Sequence, residues 1–367
     1  MNGLGKGIVR LKDIADKTGF STNTVSLALR ESPRIPPETR TVIRNAAIEL
    51  NYLPNHIAKS LVSRSTMTIG LVLTEITNPI LTRTAQAIEL ALAERGYGTL
   101  FATSNNNYAD ELRAVELFRS RQVDGMLIYP TSPRKLDHIK PLRRANYPVV
   151  LLTGDADSGV DAVCVDQKRS AYKATRHLID IGHRRIGIID SGNKIGNPEK
   201  LEGYLEALKE SDIEPDMSLL VDSKGNSLAE GYWAMDPMMN TAKRPSAVFA
   251  VTDSLAIGAL RWCHKHGLKV PDNVAIMGFD NTDHAEYAAV PLSSVNYDVE
   301  IVSRLAVDRL MSLIAAGDHL PEPRATLIDP ELVIRESTPG RRPTDGARAE
   351  FDLAAGPRSA RVRNPSP

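Results

Sequence analysis

Cysteine is scarce in these 367 residues: only Cys164 and Cys263 occur. Two thiols so far apart in the chain do not make a disulfide scaffold, and their scarcity fits a reducing cytoplasm. Both read as buried packing residues. No apolar run approaches the roughly 20 residues needed to span a bilayer, and no apolar signal region stands near the start, so neither a membrane protein nor an exported one is expected. The eight histidines show no His-Glu-x-x-His spacing, and Cys-x-x-Cys is missing too, so no metal site and no cofactor are expected. Nor is there a nucleophile–base pair or a Gly-rich phosphate loop, which sets catalysis aside. Formal net charge is zero, but that balance hides an uneven distribution.

The stretch from Val9 to Leu61 carries the strongest pattern. Leu11, Ile14 and Ala15 are spaced for one face of a short helix. Gly19 follows where two helices must turn sharply, a position that favours a residue tolerant of positive φ. Ser21 can cap a second helix, and Val25 and Leu29, four apart, supply its buried side. Thr22, Asn23 and Ser26 then face outward with donors and acceptors. This fits a helix-turn-helix whose second helix lies in a major groove, and it also fits two ordinary amphipathic helices of a bundle. Charge favours the first reading. Through Thr66 there are ten Lys and Arg against five Asp and Glu, a net charge of +5, so the remainder carries −5. A basic head on an acidic body suits a polyanionic partner for the head alone.

A third helix is expected from about Pro37 to Leu50, with Val42, Ile43, Ala46 and Leu50 packing inward and Pro37 at the first helical position. Beyond Thr68, apolar runs of four to seven residues alternate with longer helical patterns, which argues for parallel sheets covered by helices on both faces. The runs Ile69–Leu73, Thr99–Thr103, Gly125–Tyr129 and Val149–Leu152 form a first series of strands. A second series reads Ala162–Val165, Ile186–Asp190, Leu219–Asp222, Ala247–Val251 and Val274–Gly278. The intervening helices include Leu81–Arg95, Asp110–Gln122, Arg134–Ala145, Ser170–Ile181 and Asp253–His266. Two such series make two similar lobes.

The sequence resembles the lactose/galactose repressor family of bacterial transcription regulators. The likeness rests on Asp13-Ile14-Ala15, Gly19-Phe20-Ser21, Thr24-Val25-Ser26, Thr39-Arg40, Leu50-Asn51-Tyr52, Pro54-Asn55 and Ile57-Ala58-Lys59-Ser60-Leu61. It continues through Thr68-Ile69-Gly70-Leu71, Thr77-Asn78-Pro79, Gly182-His183-Arg184-Arg185-Ile186, Gly278-Phe279-Asp280 and Pro330-Glu331-Leu332-Val333, up to about Ser337. Each fragment is weak alone; in this order and spacing they are specific. The resemblance implies a helix-turn-helix head with a hinge helix, followed by an α/β body of two lobes like a periplasmic binding protein. The expected partners are double-stranded operator DNA, a second copy of the chain, and a small-molecule effector, with no membrane.

On that pattern the head spans residues 1–53, the hinge and linker 54–66, and the body 67–337. The first lobe is expected at about 67–161 plus 292–324, and the second at about 162–291 plus 325–337. Thr22 and Asn23 are the implied base readers, with Ser21, Thr24 and Ser26 beside them; Asn suits adenine and Thr a thymine methyl or base-edge acceptor. Leu27 stands where many relatives have Arg or His, and either touches a thymine methyl or packs against the loop. Pro36 replaces the usual Ser or Thr cap of the third helix. The hinge is under two helical turns, too short to persist alone in water. The resemblance implies that it becomes helical when two copies pair in a minor groove, with Leu61 wedged into a central base step and Asn55, Ala58 and Lys59 lining the groove or its phosphates.

In such a body, ligands collect in the cleft beyond the carboxyl ends of the strands. The family places a ligand-hydroxyl acceptor at Asp280. Asp253, with Thr252 before it, either binds ligand or caps the helix it begins. Lys200 occupies a position where relatives usually have Arg, keeping the charge and losing the planar fork. Asn78, Asp166 and Gln167 are weaker candidates, and Asn78 reads equally as a helix cap. Trp233 is either a stacking surface for a ring or a half-buried helix aromatic. Carboxylates and amides dominate, so a sugar or sugar derivative is the first expectation, with a purine or phosphorylated signal left open. Residues from about Thr338 to Pro367 are rich in Pro, Arg, Ala and Gly and are expected to form a disordered tail; with no leucine heptad there, a dimer is expected rather than a tetramer. The competing reading is a solute-binding receptor of the same two-lobed fold.

Overall fold

The computed structural model describes residues 9–53, 65–154, 158–191 and 198–338, with the backbone of 362–363. It divides into two units, Met1–Thr66 and Met67–Pro367.

In the first unit, α1 (Leu11–Thr18), α2 (Thr22–Leu29) and α3 (Pro37–Glu49) surround one small core. Gly19 ends α1 at φ +75°, and its N–H bonds Ala15 O at 2.8 Å, so the chain reverses within three residues. Ser21 then accepts the Thr24 N–H at 3.1 Å and opens α2. Ile14, Val25 and Ile43 are fully buried at the centre. The start of α3 has no side-chain cap at Pro36 and has Pro37 in its first turn, as expected. The inward face of α3 is Ile43, Ala46 and Ala47, with Leu50 packed at its edge; Val42 is 51% exposed, contrary to expectation. Positions 43, 46, 47 and 50 already complete one helical stripe, and residue 42 lies about 40° beyond its edge at residue 46.

The second unit begins with β1 (Thr68–Leu73), α4 (Pro79–Ala93), β2 (Gly98–Thr103), α5 (Tyr108–Ser120), β3 (Gly125–Ile128), α6 (Lys140–Arg144), β4 (Val149–Leu151) and β5 (Asp161–Val165). It continues with α7 (Gln167–Asp180), β6 (Ile186–Asp190), α8 (Pro198–Lys209), β7 (Leu220–Asp222), α9 (Leu228–Met239), β8 (Ala247–Ala250), α10 (Asp253–Lys265) and β9 (Ala275–Asp280). Last come α11 (Asp283–Glu286), β10 (Ser293–Asn296), α12 (Val299–Ala316), β11 (Ala325–Ile328), β12 (Glu331–Val333) and β13 (Val362–Arg363). One sheet runs β13-β11-β5-β4-β3-β1-β2 and the other β12-β10-β9-β8-β6-β7. All pairings are parallel except β10 with β12 and β11 with β13. Side chains of β1 alternate between two cores, Ile69, Leu71 and Leu73 on one face and Val72 on the other. Both faces are therefore covered, which explains the near-continuous apolar runs.

The lobe boundaries differ from the expected ones. The strand β5, assigned from sequence to the second lobe, pairs with β4 and β11 in the first sheet. Its first residue explains why. Asp161 is fully buried, and its carboxylate accepts from Arg143 Nε and Arg309 Nε, both at 2.7 Å, and from the Arg324 N–H at 3.1 Å. All three donors belong to the first lobe. Conversely, β10 extends the second sheet beside β9, and the chain returns to the first lobe only with α12, whose Val302, Val307 and Leu310 share a core with Ile88 and Leu92. The crossings therefore fall at 165–167, 296–299 and 328–331. The helix expected over Arg134–Ala145 shrinks to Lys140–Arg144, because Pro141 has no N–H for a helix interior. Of the hinge and linker expected at 54–66, residues 54–64 lie outside the described residues, as does the tail except Thr338 and β13. Among the described residues, no helix is long and apolar enough to cross a membrane.

Candidate functional sites on the second helix and in the cleft

At the start of α2, the hydroxyls of Ser21 and Thr24 meet at 2.9 Å, and Ser21 also holds the Thr24 N–H. Both are engaged in the cap. Thr22 and Asn23 are exposed, and among the described residues their side chains make no hydrogen bond. Ser26 is half-buried, and Leu27 packs against the head core. Two of the head's bases form exposed ion pairs, Lys17 with Glu49 and Arg44 with Glu31, while Arg10, Lys12, Arg30 and Arg34 are exposed. The head thus exposes two polar side chains at a helix start, and four cations elsewhere on its described surface. Asn55, Ala58, Lys59 and Leu61 lie outside the described residues.

In the body, the strand ends converge. Thr74 follows β1, Tyr129 follows β3, Val251 follows β8, and Asp190 and Asp280 end β6 and β9; all line one cleft between the lobes. Lys200, on the first turn of α8, enters from one side; its ammonium donates to Val251 O at 2.8 Å and lies 3.5 Å from the centre of the Phe279 ring. Gln167 and Thr153 line the cleft and are buried. Among the described residues, ion pairs join the lobes from Arg134 to Glu202 at 2.6 Å and from Arg83 to Asp283 at 3.5 Å.

Asp280 is 6% exposed, its backbone holds φ +108°, and among the described residues its carboxylate accepts no hydrogen bond. A positive φ at a residue with a Cβ costs of order 1–3 kcal/mol and marks functional sites. Burial pushes this carboxyl well above the usual carboxylate range, Lys200 pulls it down, and Asp253 pushes it up again. Burial also raises Asp190, against the opposing pull of Lys200 and the Ser191 N–H. Lys200 is lowered by burial and raised by Asp280, Asp190 and Asp253. Each charge here is held between desolvation and a neighbour of opposite sign.

Not every sequence candidate reaches the cleft. Asn78, Lys200, Thr252, Asp280 and Gln167 line it. Asn78 also caps α4 through the Ile80 N–H at 3.1 Å, and Thr252 caps α10 through the Leu255 N–H at 3.3 Å. Asp166 caps α7 through the Arg169 N–H and is not part of the lining. Asp253 stands behind the wall: one oxygen accepts the Thr282 N–H at 2.7 Å and hydroxyl at 3.0 Å, and the other accepts the Ser294 hydroxyl at 2.6 Å. Trp233 sits on α9 with 63% exposure, edge-on to Tyr232, and is not part of the lining. Sequence reasoning passed over Glu75, Asn106, Tyr129, Asp190 and Asn226, which the structure adds. Only Asp190 carried a legible signal, as an acid closing an otherwise apolar strand.

Residues 10–55 match the family described as bacterial regulatory proteins, lacI family, and residues 175–338 match a periplasmic binding protein-like domain. The HTH-type transcriptional repressor PurR of Mannheimia succiniciproducens is 30% identical over 332 residues, covering 89% of this chain and 98% of the relative. The ribose operon repressor of Haemophilus influenzae is 31% identical over 330 residues, with the same coverage. Among solved structures, the lac repressor dimer bound to operator and the anti-inducer ONPF superposes with a TM-score of 0.82 at 23% identity, over 90% of this chain and 99% of that one. That likeness speaks for the fold alone. The transcriptional regulator CelR–cellobiose complex superposes with a TM-score of 0.66 at 29% identity, over 90% and 99%.

Proposed function

Because this chain belongs to the lacI family of bacterial regulatory proteins, we propose that it is an effector-responsive transcriptional repressor that binds a pseudo-palindromic operator as a homodimer in the bacterial cytoplasm, associated with the nucleoid when on DNA. The head, residues 1–53, reads bases with Thr22 and Asn23. The hinge, residues 54–66, presents Asn55, Ala58, Lys59 and Leu61 to the minor groove. A sugar-like effector sits in the cleft of the body, residues 67–337, against Asp280, Lys200, Asp190 and Gln167. One observation carries the reading: Thr22 and Asn23 stand exposed with their polar groups unpartnered among the described residues, while their neighbours Ser21 and Thr24 are locked in the cap. A helix start so arranged holds a fixed register and leaves two side chains for base edges.

Effector binding acts on DNA by shifting the balance between lobe arrangements. The Arg134–Glu202 and Arg83–Asp283 pairs are made across that boundary. By linkage, operator DNA alters effector affinity by the same factor. The test is selection from a random duplex library with the full-length protein at moderate salt. Recovery of one symmetric site, bound at least about a thousandfold more tightly than bulk competitor, is the expected result. Enrichment of no site would end the reading. Removing the residues before Thr68 separates it from a solute receptor, which would lose nothing.

A further inference from the structure

The charges that line the cleft are out of balance. Among the described residues, Glu75, Asp190 and Asp280 are its acids and Lys200 is its base. That ammonium already donates to Val251 O and rests on the Phe279 ring, so its capacity to receive an anion is reduced. Behind it, Asp253 adds a further carboxylate to the same field. Beyond the count of charges, two unpartnered acceptors point to a ligand. Asp280, more than nine-tenths buried, offers its carboxylate to the cleft without a hydrogen-bond donor among the described residues. Asn226 also lines the cleft, and its Oδ1 is buried with no partner among them. The groups left open are acceptors. A complementary ligand brings donors, and a positively charged donor best offsets the surplus.

We propose that the effector is a polyhydroxylated amine, an amino sugar or a molecule of that chemistry, whose ammonium lies between Asp190 and Asp280 while its hydroxyls meet Asn226 and Gln167. This deepens the effector reading above and rests on it. Asp190 is the residue that sets the selectivity. Burial pushes both carboxyls upward, Asp280 the further, and an arriving cation pulls them down again, so binding releases whatever protons they hold. Phosphorylated and carboxylate ligands meet the carboxyls of Glu75, Asp190 and Asp280, whereas an ammonium meets one like charge, Lys200, which is held on Val251 O and the Phe279 ring.

The experiment is calorimetric titration of the full chain at pH 7 with glucosamine, galactosamine and mannosamine. Their parent hexoses, their N-acetyl forms, glucose 6-phosphate and glucuronate serve as comparisons. At least one amine binds about tenfold or more tightly than its parent and its N-acetyl form, the worth of one charge-assisted hydrogen bond. Repeating the titration in two buffers of different ionisation enthalpy shows proton release. In Asp190→Asn the amine-to-parent ratio falls toward one; a hydrogen-bonding amide of the same size keeps the shape and removes the charge. If a neutral hexose or an anion binds as well as the amines, and Lys200→Met abolishes that binding, the amine proposal is overturned and the cleft keeps its effector role. If no compound of any charge binds, the proposal is also overturned. Selection of operator DNA, read separately, then decides whether the regulator reading stands.

Discussion

The ammonium of Lys200 stands 3.5 Å from the centre of the ring of Phe279, the residue immediately before Asp280. A cation over an aromatic face is attracted by the ring quadrupole, more strongly where water is excluded. The contact ties the start of α8 to the end of β9, so the lysine holds the wall of the cleft as well as lending it charge. Arginine in its place would spread the charge over a planar fork; lysine concentrates it on one atom already bonded to Val251 O.

Replacing that cation tests both roles. In Lys200→Met the Asp190 and Asp280 carboxyls lose the neighbour that pulls them down and move further upward. The wall loses the charged hydrogen bond to Val251 O and the contact with the Phe279 ring, so the effector-induced change in operator affinity is expected to fall by about tenfold or more. Operator binding titrated with and without effector gives the measurement, and an unaltered response would remove Lys200 from the site.

Asn23→Ala tests the head. Loss of a bidentate base contact costs about 1–3 kcal/mol at one operator position and relaxes the preference there. The measurement is affinity for a panel of single-base operator variants. A uniform loss across all sequences would instead make Asn23 a phosphate contact.

Asp253 gives a pH dependence with a definite sign. Burial raises its pKa from an ordinary 3.8 to about 6, outweighing the hydrogen bonds from Ser294 and Thr282. The folded protein therefore keeps a proton that the unfolded chain releases. This contribution to stability is fully present below 3.8 and is lost as pH rises to about 6. Other carboxylates titrate in the same range, so the readout is the difference in Tm between wild type and Asp253→Asn. That difference is expected to move against wild type between pH 4 and 6 and then level off.

Gly203→Ala probes how α8 is seated. A Cβ at this position would stand 2.0 Å from Lys168 O on α7, and backbone does not yield easily. The expected cost is about 1–3 kcal/mol, from overpacking. Because α7 starts at Gln167 and α8 carries Lys200, effector affinity should weaken along with stability. Denaturant unfolding and effector titration on the same preparation check the pair of effects.

Sequence alone revealed most of the head, because its determinants are local: Ile14, Gly19, Ser21 and Val25 lie within a dozen residues. Val42 was misplaced because an apolar residue one position off a helical stripe looks the same in a short window. In the body, the alternation of strands and helices was legible, whereas the sheet that β5 joins was not. That choice is made by Asp161 meeting Arg309 and Arg324, about 150 residues away in sequence. Asp280 was visible through the family pattern. Asp253 left two roles open, and its partners Thr282 and Ser294, 29 and 41 residues on, lay beyond any local reading. Tyr129 and Asn226 enter the cleft through tertiary placement alone.

The chain passes between the lobes three times, and each passage is only a few residues long. A single tether would let one half tumble against the other; three side by side leave little freedom beyond bending about one common axis. A protease that cut any one of them would leave the halves still joined by two. Effector occupancy should therefore be visible as a change in hinge angle, never as separation, and a nicked protein should elute from a sizing column where the whole one does.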